Sequence, residues 1–565
     1  MARSDDTRLA LLLCAVAATA ILALLHLAPN PCAYSLSRAV LSVAGLDPHL
    51  VSCGGGGDTA KKLKALLPDN LRSSSNTTTT GGPIATDFRV CVKPELPAHA
   101  LPPYLCCPPA PSSEPINFTL PDPSEPLRVR RPVHSVGAEH LAKYERAVAL
   151  MKALPKSDPR SFYQQANIHC AYCTGAHRQA GRTDLPFQIH FSWFFFPFHR
   201  AYLYFFERIA AKLLGEPGFA VPFWSWDVPE GMTFPVEFAN ETSPLYDPVR
   251  NPRHRPPKVV DIDYAYVDRN ITDEQQIELN LRVMYKQMVT NAALTSLFHG
   301  QPFRAGQNDK PGPGTVELTP HNTMHTWTGD ISYTNAEDMG TYYSAGRDPI
   351  FYPHHENIDR LWQAWRDIDG NHTDFTDPDW LDSSFLFYDE EARPVRVTVR
   401  DMLDMEKLRY TYAGVGTPWL AARPPTTPDV NTLKLKASPP SFPVALDKAA
   451  VSAQVMRPPK REEEVEVLVV EGIQADGGGL VKFDVYVNAV EYEKVAPGGR
   501  EMAGSYVSLK HLGMEGAVVE SSMRLVLNGL LEDLGAERDD SVTVTLVPVM
   551  GKVSVGGLRI VYMKD

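Results

Sequence analysis

Apolar positions follow two periods along this chain, and the change falls near residue 460. Upstream the repeat is helical. AEHLAKYERAVALMKAL (138–154) spaces its apolar residues by three and four, which lines one face of an α-helix. FHRAYLYFFERIAAKLL (198–214) is more apolar, opened by Pro197 and closed by Gly215. TDEQQIELNLRVMYKQMVTNAAL (272–294) starts at Thr272 with Gln275 three residues on, the pattern of a capping box. IDRLWQAW (358–365) predicts a fourth helix, and four helices with mixed aromatic faces fit a bundle. Downstream, EVEVLVVEGI, LVKFDVYVNAV, SVTVTLVPVM and LRIVYM alternate apolar with polar residues between glycine-rich turns. That period of two predicts an all-β domain of about a hundred residues. The fold class expected is therefore multidomain α + β, a mainly α-helical domain followed by an all-β C-terminal domain.

The flanking segments are of another kind. Arg3 and Arg8 precede LALLLCAVAATAILALLHLA (9–28), an apolar run about long enough to span a bilayer. Signal peptide (1–28) and uncleaved signal anchor in the membrane both fit, and both imply export. Residues 29–85, with GGGG and SSSNTTTTGG, are expected to be a flexible Gly/Ser/Thr-rich spacer. Prolines crowd 416–460 up to RPPKR (457–461), which predicts a linker over 425–461. Asn76, Asn117, Asn240, Asn270 and Asn371 begin N-x-[ST] acceptors, a mild excess that agrees with a secreted glycoprotein. A net charge of −12 gives nucleic acid no footing.

Beyond Cys14, Cys32 and Cys53, five cysteines remain: Cys91, Cys106, Cys107, Cys170 and Cys173. In an oxidising compartment four could form two disulfides, in any of three pairings, leaving one with another task.

Histidines carry the chemistry. IHCAYC holds His169, and HFSWFFFPFHR holds His190 and His199. Nine helical residues turn through about 180°, so His190 and His199 cannot share one helix face. Pro197 resolves this: the helix starts there and His190 comes from the segment before it. PHNTMHTW sets His321 and His325 one turn apart on one face. In DPIFYPHHENIDRLW (348–362), His354 and His355 diverge by about 100°, so one of them at most completes a second set of three. Imidazole-only sites suit copper, zinc, iron or nickel, and burying six imidazoles among Phe, Trp and Pro without a partner is costly.

HFSWFFFPFHRAYLYFFE (190–207) resembles the first copper signature of tyrosinases and plant polyphenol oxidases, and DPIFYPHHENID (348–359) resembles the second. DPDWL (377–381) and KFDVYVN (482–488) are similar to the two C-terminal regions of the plant enzymes. The resemblance implies a tyrosinase-type domain over 86–367, whose four-helix bundle holds two copper ions. A DWL-type region over 368–424 and, beyond the linker, a KFDV-type β domain over 462–565 would follow. It implies His169, His190 and His199 on one copper and His321, His325 and His355 on the other, with His354 left either behind the ligands or at the cavity rim, near the substrate's access. Asp359, one turn beyond His355, would hold an imidazole N–H. Cys173 would bond covalently to His190, and the disulfides would be Cys91–Cys107 and Cys106–Cys170.

The expected activity is oxidation of o-diphenols to o-quinones, with dioxygen reduced to water. Some monophenol hydroxylation is also expected, through Glu317 and Asn322 as a general-base pair. Thr326 and Tyr342 would tune substrate access, Tyr342 standing where relatives often carry phenylalanine. The β domain would shield the centre until a protease cuts within about 420–460. A haemocyanin-like oxygen carrier and a dinuclear zinc hydrolase are the rival readings. Because no Ser-rich start or Arg-Arg pair precedes the apolar run, a secretory route to vacuole, Golgi or exterior is expected, with the thylakoid lumen as alternative.

Overall fold

The computed structural model describes residues 81–565 apart from 266–269, 309–310, 428–429, 431–440, 462, 476–479 and 510–518. The expectations for the 9–28 run, for the spacer up to residue 80, and for Cys14, Cys32, Cys53 and Asn76 lie outside the described residues. Among the described residues no helix is long and apolar enough to cross a membrane.

The helical part is built on α1 (Ala138–Ala153), α2 (Phe162–Cys173), α3 (Phe195–Leu214), α4 (Asp273–Tyr285), α5 (Thr323–Thr328) and α6 (Phe351–Asp367). A π-turn over Glu317–Asn322 leads directly into α5. Helices α1, α3, α4 and α6 answer to the predicted four, although α4 passes into a π-turn over Lys286–Thr290 before the expected end at 294, and α6 begins at Phe351 rather than at 358. Pro197 and Pro353 are the third residues of α3 and α6, in the first turn, where a missing N–H costs nothing. The capping box of α4 forms: Thr272 Oγ1 accepts the Gln275 N–H at 3.3 Å, and Gln275 Oε1 accepts the Thr272 N–H at 2.9 Å. Gly215 ends α3 with φ 71°, a left-handed conformation that turns its N–H back onto the Ala211 and Lys212 carbonyls. The pattern missed α2, and for a physical reason: FYQQANIHCAYC is buried on nearly every side, so no polar face marks a period.

Helix α3 lies at the centre, packed against α1 and α6, with every residue from Phe195 to Phe206 buried. Both disulfides implied by the resemblance are present, Cys91–Cys107 and Cys106–Cys170. The second ties the N-terminal arm to α2, one residue from His169. Replacing Cys106 and Cys170 together by serine is expected to cost about 2–4 kcal/mol, seen as a lower midpoint in thermal unfolding.

The region after α6 wraps the bundle. Trp380 Nε1 donates to the Trp193 carbonyl at 3.0 Å, and Ser384–Tyr388 pairs antiparallel with Pro394–Thr398. Strands β1 (Arg128–Arg130) and β2 (Tyr410–Tyr412) pair in parallel beneath α3 and α6.

The C-terminal domain comprises β3 (Val444–Leu446), β4 (Val451–Met456), β5 (Val465–Ala475), β6 (Val481–Val487), β7 (Met502–Ser508), β8 (Val519–Val526), β9 (Ser541–Met550), β10 (Val553–Val555) and β11 (Gly557–Met563). Two antiparallel sheets form, one ordered β4-β9-β6-β7 and one β8-β5-β10-β3, with β11 also on β5. This corrects the linker expected over 425–461. Strands β3 and β4 fall inside it, and β4 pairs with β9 along Val451–Met456. Prolines on both sides masked the alternation of VSAQVM, whose inward residues Ala453 and Val455 join the β core.

Strand β7 crosses the helical domain. The Lys286 ammonium donates to the Met502 carbonyl at 3.2 Å and the Asn291 amide to the Ala503 carbonyl at 3.0 Å. Ser505 Oγ donates to Asp263 at 3.2 Å, and the Asn322 amide to the Val507 carbonyl at 2.9 Å. Leu294 and Leu297 pack with Val467, Val469 and Val526 at the same junction.

Candidate metal centre

All six predicted ligands are buried and come together, although four separate segments deliver them. His169 is on α2 and His199 on α3, while His190 precedes α3 in a non-helical stretch, as the rotation argument required. Phe191, next in the chain, holds φ 61°, an unfavourable left-handed conformation for a bulky residue. The Glu317 carboxylate accepts the Phe191 N–H at 2.6 Å and fixes that turn. Ring centroids of His169, His190 and His199 lie 5.2–5.7 Å apart. His321 and His325 are 4.6 Å apart, and His355 on α6 lies 5.0 and 5.5 Å from them. The two sets abut, with the His199 and His355 rings stacked at 4.2 Å.

Backbone carbonyls set the tautomers. His169 Nδ1–H donates to Tyr342 O at 2.8 Å, His199 Nδ1–H to Phe195 O at 2.7 Å, and His325 Nδ1–H to Met339 O at 2.7 Å. His321 Nδ1–H is shared between Glu317 O at 3.3 Å and Asn322 Oδ1 at 3.0 Å. Each bond leaves a bare lone pair on Nε2. The Nε2 atoms of His169, His199 and His321 are buried without a hydrogen-bond partner among the described residues. Such orphaned acceptors are costly unless something occupies the space between them. His325 Nε2 and His355 Nε2 lie 3.3 Å apart, about the spacing of two nitrogens bound at ~2.0 Å to one tetrahedral ion. Burial pushes His325 down to about 4 and, with some help from the His325 imidazole, His199 to about 3. Burial and the neighbouring imidazoles hold His169, His321 and His355 well below the usual range, so these five rings are neutral at ordinary pH, as metal ligands must be. No carboxylate joins either metal-capable cluster of the described residues. This donor set fits copper, and a carboxylate-bearing zinc hydrolase site does not describe it.

His354 also lies in the cluster, but its chemistry differs. Trp226 Nε1–H, which can only donate, gives its hydrogen bond to His354 Nδ1 at 3.1 Å. His354 therefore carries its proton on Nε2 and offers no lone pair there. It is wholly buried, which suits the expected place behind the ligands better than one at the cavity rim. Cys173 joins neither disulfide, and its Sγ lies within 4.8 Å of ring nitrogens of His169 and His190.

Asp359 requires a correction, because it holds no imidazole. Its carboxylate accepts from Arg200, from Arg130 at 3.2 Å, and from the Tyr410 and Tyr412 hydroxyls at 2.7 and 2.6 Å. Burial works against ionisation, but Arg200 and Arg130 outweigh it and hold the carboxyl below its usual range. The Arg130 and Arg200 guanidinia lie 3.7 Å over the rings of Tyr410 and Trp362. Asp359 thus fastens α6 to α3 and β1 from behind the centre. Asp359→Ala is expected to cost about 3–5 kcal/mol by leaving buried guanidinium charge uncompensated, read as a fall in Tm.

The remaining predicted residues lie beside the two sets. Glu317 and Asn322 are buried, and Thr326 Oγ1 donates back to the Asn322 carbonyl at 2.9 Å. The Tyr342 ring lies 4.2 Å from His190, and its hydroxyl donates to Asn322 Oδ1 at 3.1 Å. Phe195 (4.9 Å from His199, 4.7 Å from His321) and Phe351 (4.9 Å from His169, 4.2 Å from His355) wall the centre. The carbonyls that orient the imidazoles escaped the sequence analysis. Only those of Phe195 and Glu317, each four residues before the histidine it orients, left a signal in the spacing.

A buried centre of imidazoles in a helical bundle, with two adjoining clusters that could each hold a metal ion, fits the class of coupled dicopper proteins. The comparisons make this specific. Residues 159–368 match the common central domain of tyrosinase, 374–425 the polyphenol oxidase middle domain, and 442–562 the chloroplastic polyphenol oxidase C-terminal domain. A chloroplastic polyphenol oxidase of Malus domestica is 47% identical over 505 residues, covering 85% of this chain and 84% of that one. Aureusidin synthase of Antirrhinum majus is 47% identical over 504 residues, covering 85% and 89%. The solved structure of latent apple tyrosinase superposes with a TM-score of 0.76 at 48% identity, covering 80% of this chain and all of that one. The chain belongs to the plant polyphenol oxidases of the type 3 copper family. It is an oxidoreductase, and copper is its metal.

Proposed function

We propose that this polyphenol oxidase converts o-diphenols to o-quinones while reducing one dioxygen to two waters for every two diphenols oxidised. The observation that carries this is the set of buried Nε2 acceptors of His169, His199 and His321, without hydrogen-bond partners among the described residues and carried on adjoining rings. Two copper ions, when bound there, supply paired electron transfer between the phenol and dioxygen. The chain's own part is to present six buried imidazoles, His169, His190 and His199 for one ion and His321, His325 and His355 for the other, with the tautomers of His169, His199, His321 and His325 set by hydrogen bonds at Nδ1. Phe195, Tyr342 and Phe351 exclude water around them. A thioether from Cys173 to His190 would further restrain that ring. Glu317 and Asn322 are read as the pair that orients a water toward a monophenol hydroxyl, giving a minor hydroxylase activity. Catechol turned over by purified, copper-loaded, linker-cleaved protein should give coloured quinone. Reversible oxygen binding without turnover would favour the haemocyanin-like alternative.

Latency is part of this reading. The β domain lies on Asn322 through Val507, and the similar apple tyrosinase is described as latent. Activation by proteolysis is taken to fall between residue 425 and the start of β3. For location, the chloroplastic description of the Malus relative supports the thylakoid lumen, the alternative expected from the sequence. The secretory route and the membrane anchor gain no support.

A further inference from the structure

Asn322 is hydrogen-bonded to capacity on its acceptor side. A carboxamide oxygen has two lone pairs. Here His321 Nδ1–H takes one at 3.0 Å and the Tyr342 hydroxyl takes the other at 3.1 Å. The amide nitrogen donates to the Val507 carbonyl of β7 at 2.9 Å. Both Asn322 and Tyr342 are buried, and Tyr342 is braced 4.2 Å from the His190 ring, so its hydroxyl reaches from one histidine set to the other. Lifting the β domain would release one amide N–H but leave the oxygen filled.

This matters for the proton. A water accepts a proton from a phenol best when both its hydrogens are donated to acceptors and its lone pair faces the substrate. Glu317 can take one such hydrogen. Asn322 Oδ1 could take the other only if a present donor left. A water bound instead to the freed Asn322 N–H would spend its lone pair on the protein.

We propose that Tyr342 is a positioning residue that sets the substrate class: by occupying Asn322 Oδ1 it disfavours deprotonation of monophenols and biases the enzyme toward o-diphenols. An o-diphenol needs no oxygen inserted and has a more acidic first hydroxyl, so it depends less on such a base. The inference rests on the oxidase reading above.

Tyr342→Phe and Tyr342→Leu in the copper-loaded full chain, assayed after cleavage in the linker on tyramine and 4-methylcatechol, test it. Tyr342→Phe is expected to raise the ratio of kcat/KM for tyramine over 4-methylcatechol about tenfold, the scale of one hydrogen bond. The gain should lie in kcat for tyramine rather than in KM. Tyr342→Leu, which also removes the ring, should show the gain together with a raised KM for both substrates. An unchanged ratio in Tyr342→Phe overturns the proposal, as does a change confined to Tyr342→Leu, which would assign the effect to the ring. A second arm does not need turnover: crystal structures of the copper-free full chain should show a water about 3 Å from Asn322 Oδ1 in Tyr342→Phe and none in the parent. The same solvent in both also overturns it. If the parent oxidises no catechol at all, the oxidase reading fails, and the solvent structure still decides the role of Tyr342.

Discussion

His355→Gln is expected to leave the chain with one copper in place of two and to lower kcat by at least about a thousandfold, a barrier increase of about 4 kcal/mol. His354→Gln, one residue earlier, is expected to keep both coppers and lose no more than about a hundredfold. The contrast follows from tautomers. His355 Nε2 lies 3.3 Å from His325 Nε2, whose proton is committed to Nδ1 and the Met339 carbonyl. His354 has its Nδ1 lone pair spent on Trp226, and a glutamine oxygen can accept that same N–H. Metal analysis of the two variants, with turnover of 4-methylcatechol, checks the pair. Two coppers retained in His355→Gln, or one lost in His354→Gln, would reverse the assignment.

The second large effect concerns the β domain. Cutting between residue 425 and β3 is expected to raise catechol turnover at least about tenfold, which corresponds to a shield open less than about a tenth of the time. Strand β7 is held across the helical domain by Lys286, Asn291, Asp263 and Asn322, and the leucines at 294 and 297 pack beneath β5 and β8. A junction with both polar anchors and an apolar patch does not open by a single side-chain movement, which is the basis of the latency proposed for the intact chain. Turnover before and after limited proteolysis, with the cut mapped by mass spectrometry, measures the effect. Severing the linker without a rise in activity would mean that the β domain does not shield the centre.

What the sequence revealed tracks how local each determinant is. The capping box at Thr272, the helix start around Pro197 and the His321/His325 pair depend on residues within one or two turns, and all three are as expected. Placing His190 outside α3 needed only the pitch of a helix. Helix α2 was missed because complete burial erases the polar face that a period requires. Strands β3 and β4 were hidden by flanking prolines. Asp359 was misassigned for a different reason. Its spacing from His355 fits an imidazole partner, but Arg130, 229 residues away, and Arg200, 159 away, reach it first. Nothing in the spacing of one helix reports a pairing made by β1 and β2. The trio of His321, Tyr342 and Val507 around Asn322 was illegible for the same reason, since Val507 lies 185 residues downstream of its partner.

Elemental analysis of the intact, matured chain, taken with the optical spectrum of the oxygenated protein, tests the central claim most directly. Two coppers per chain with the spectrum of a coupled pair is the predicted result. A single copper, none, or two that respond independently would contradict it.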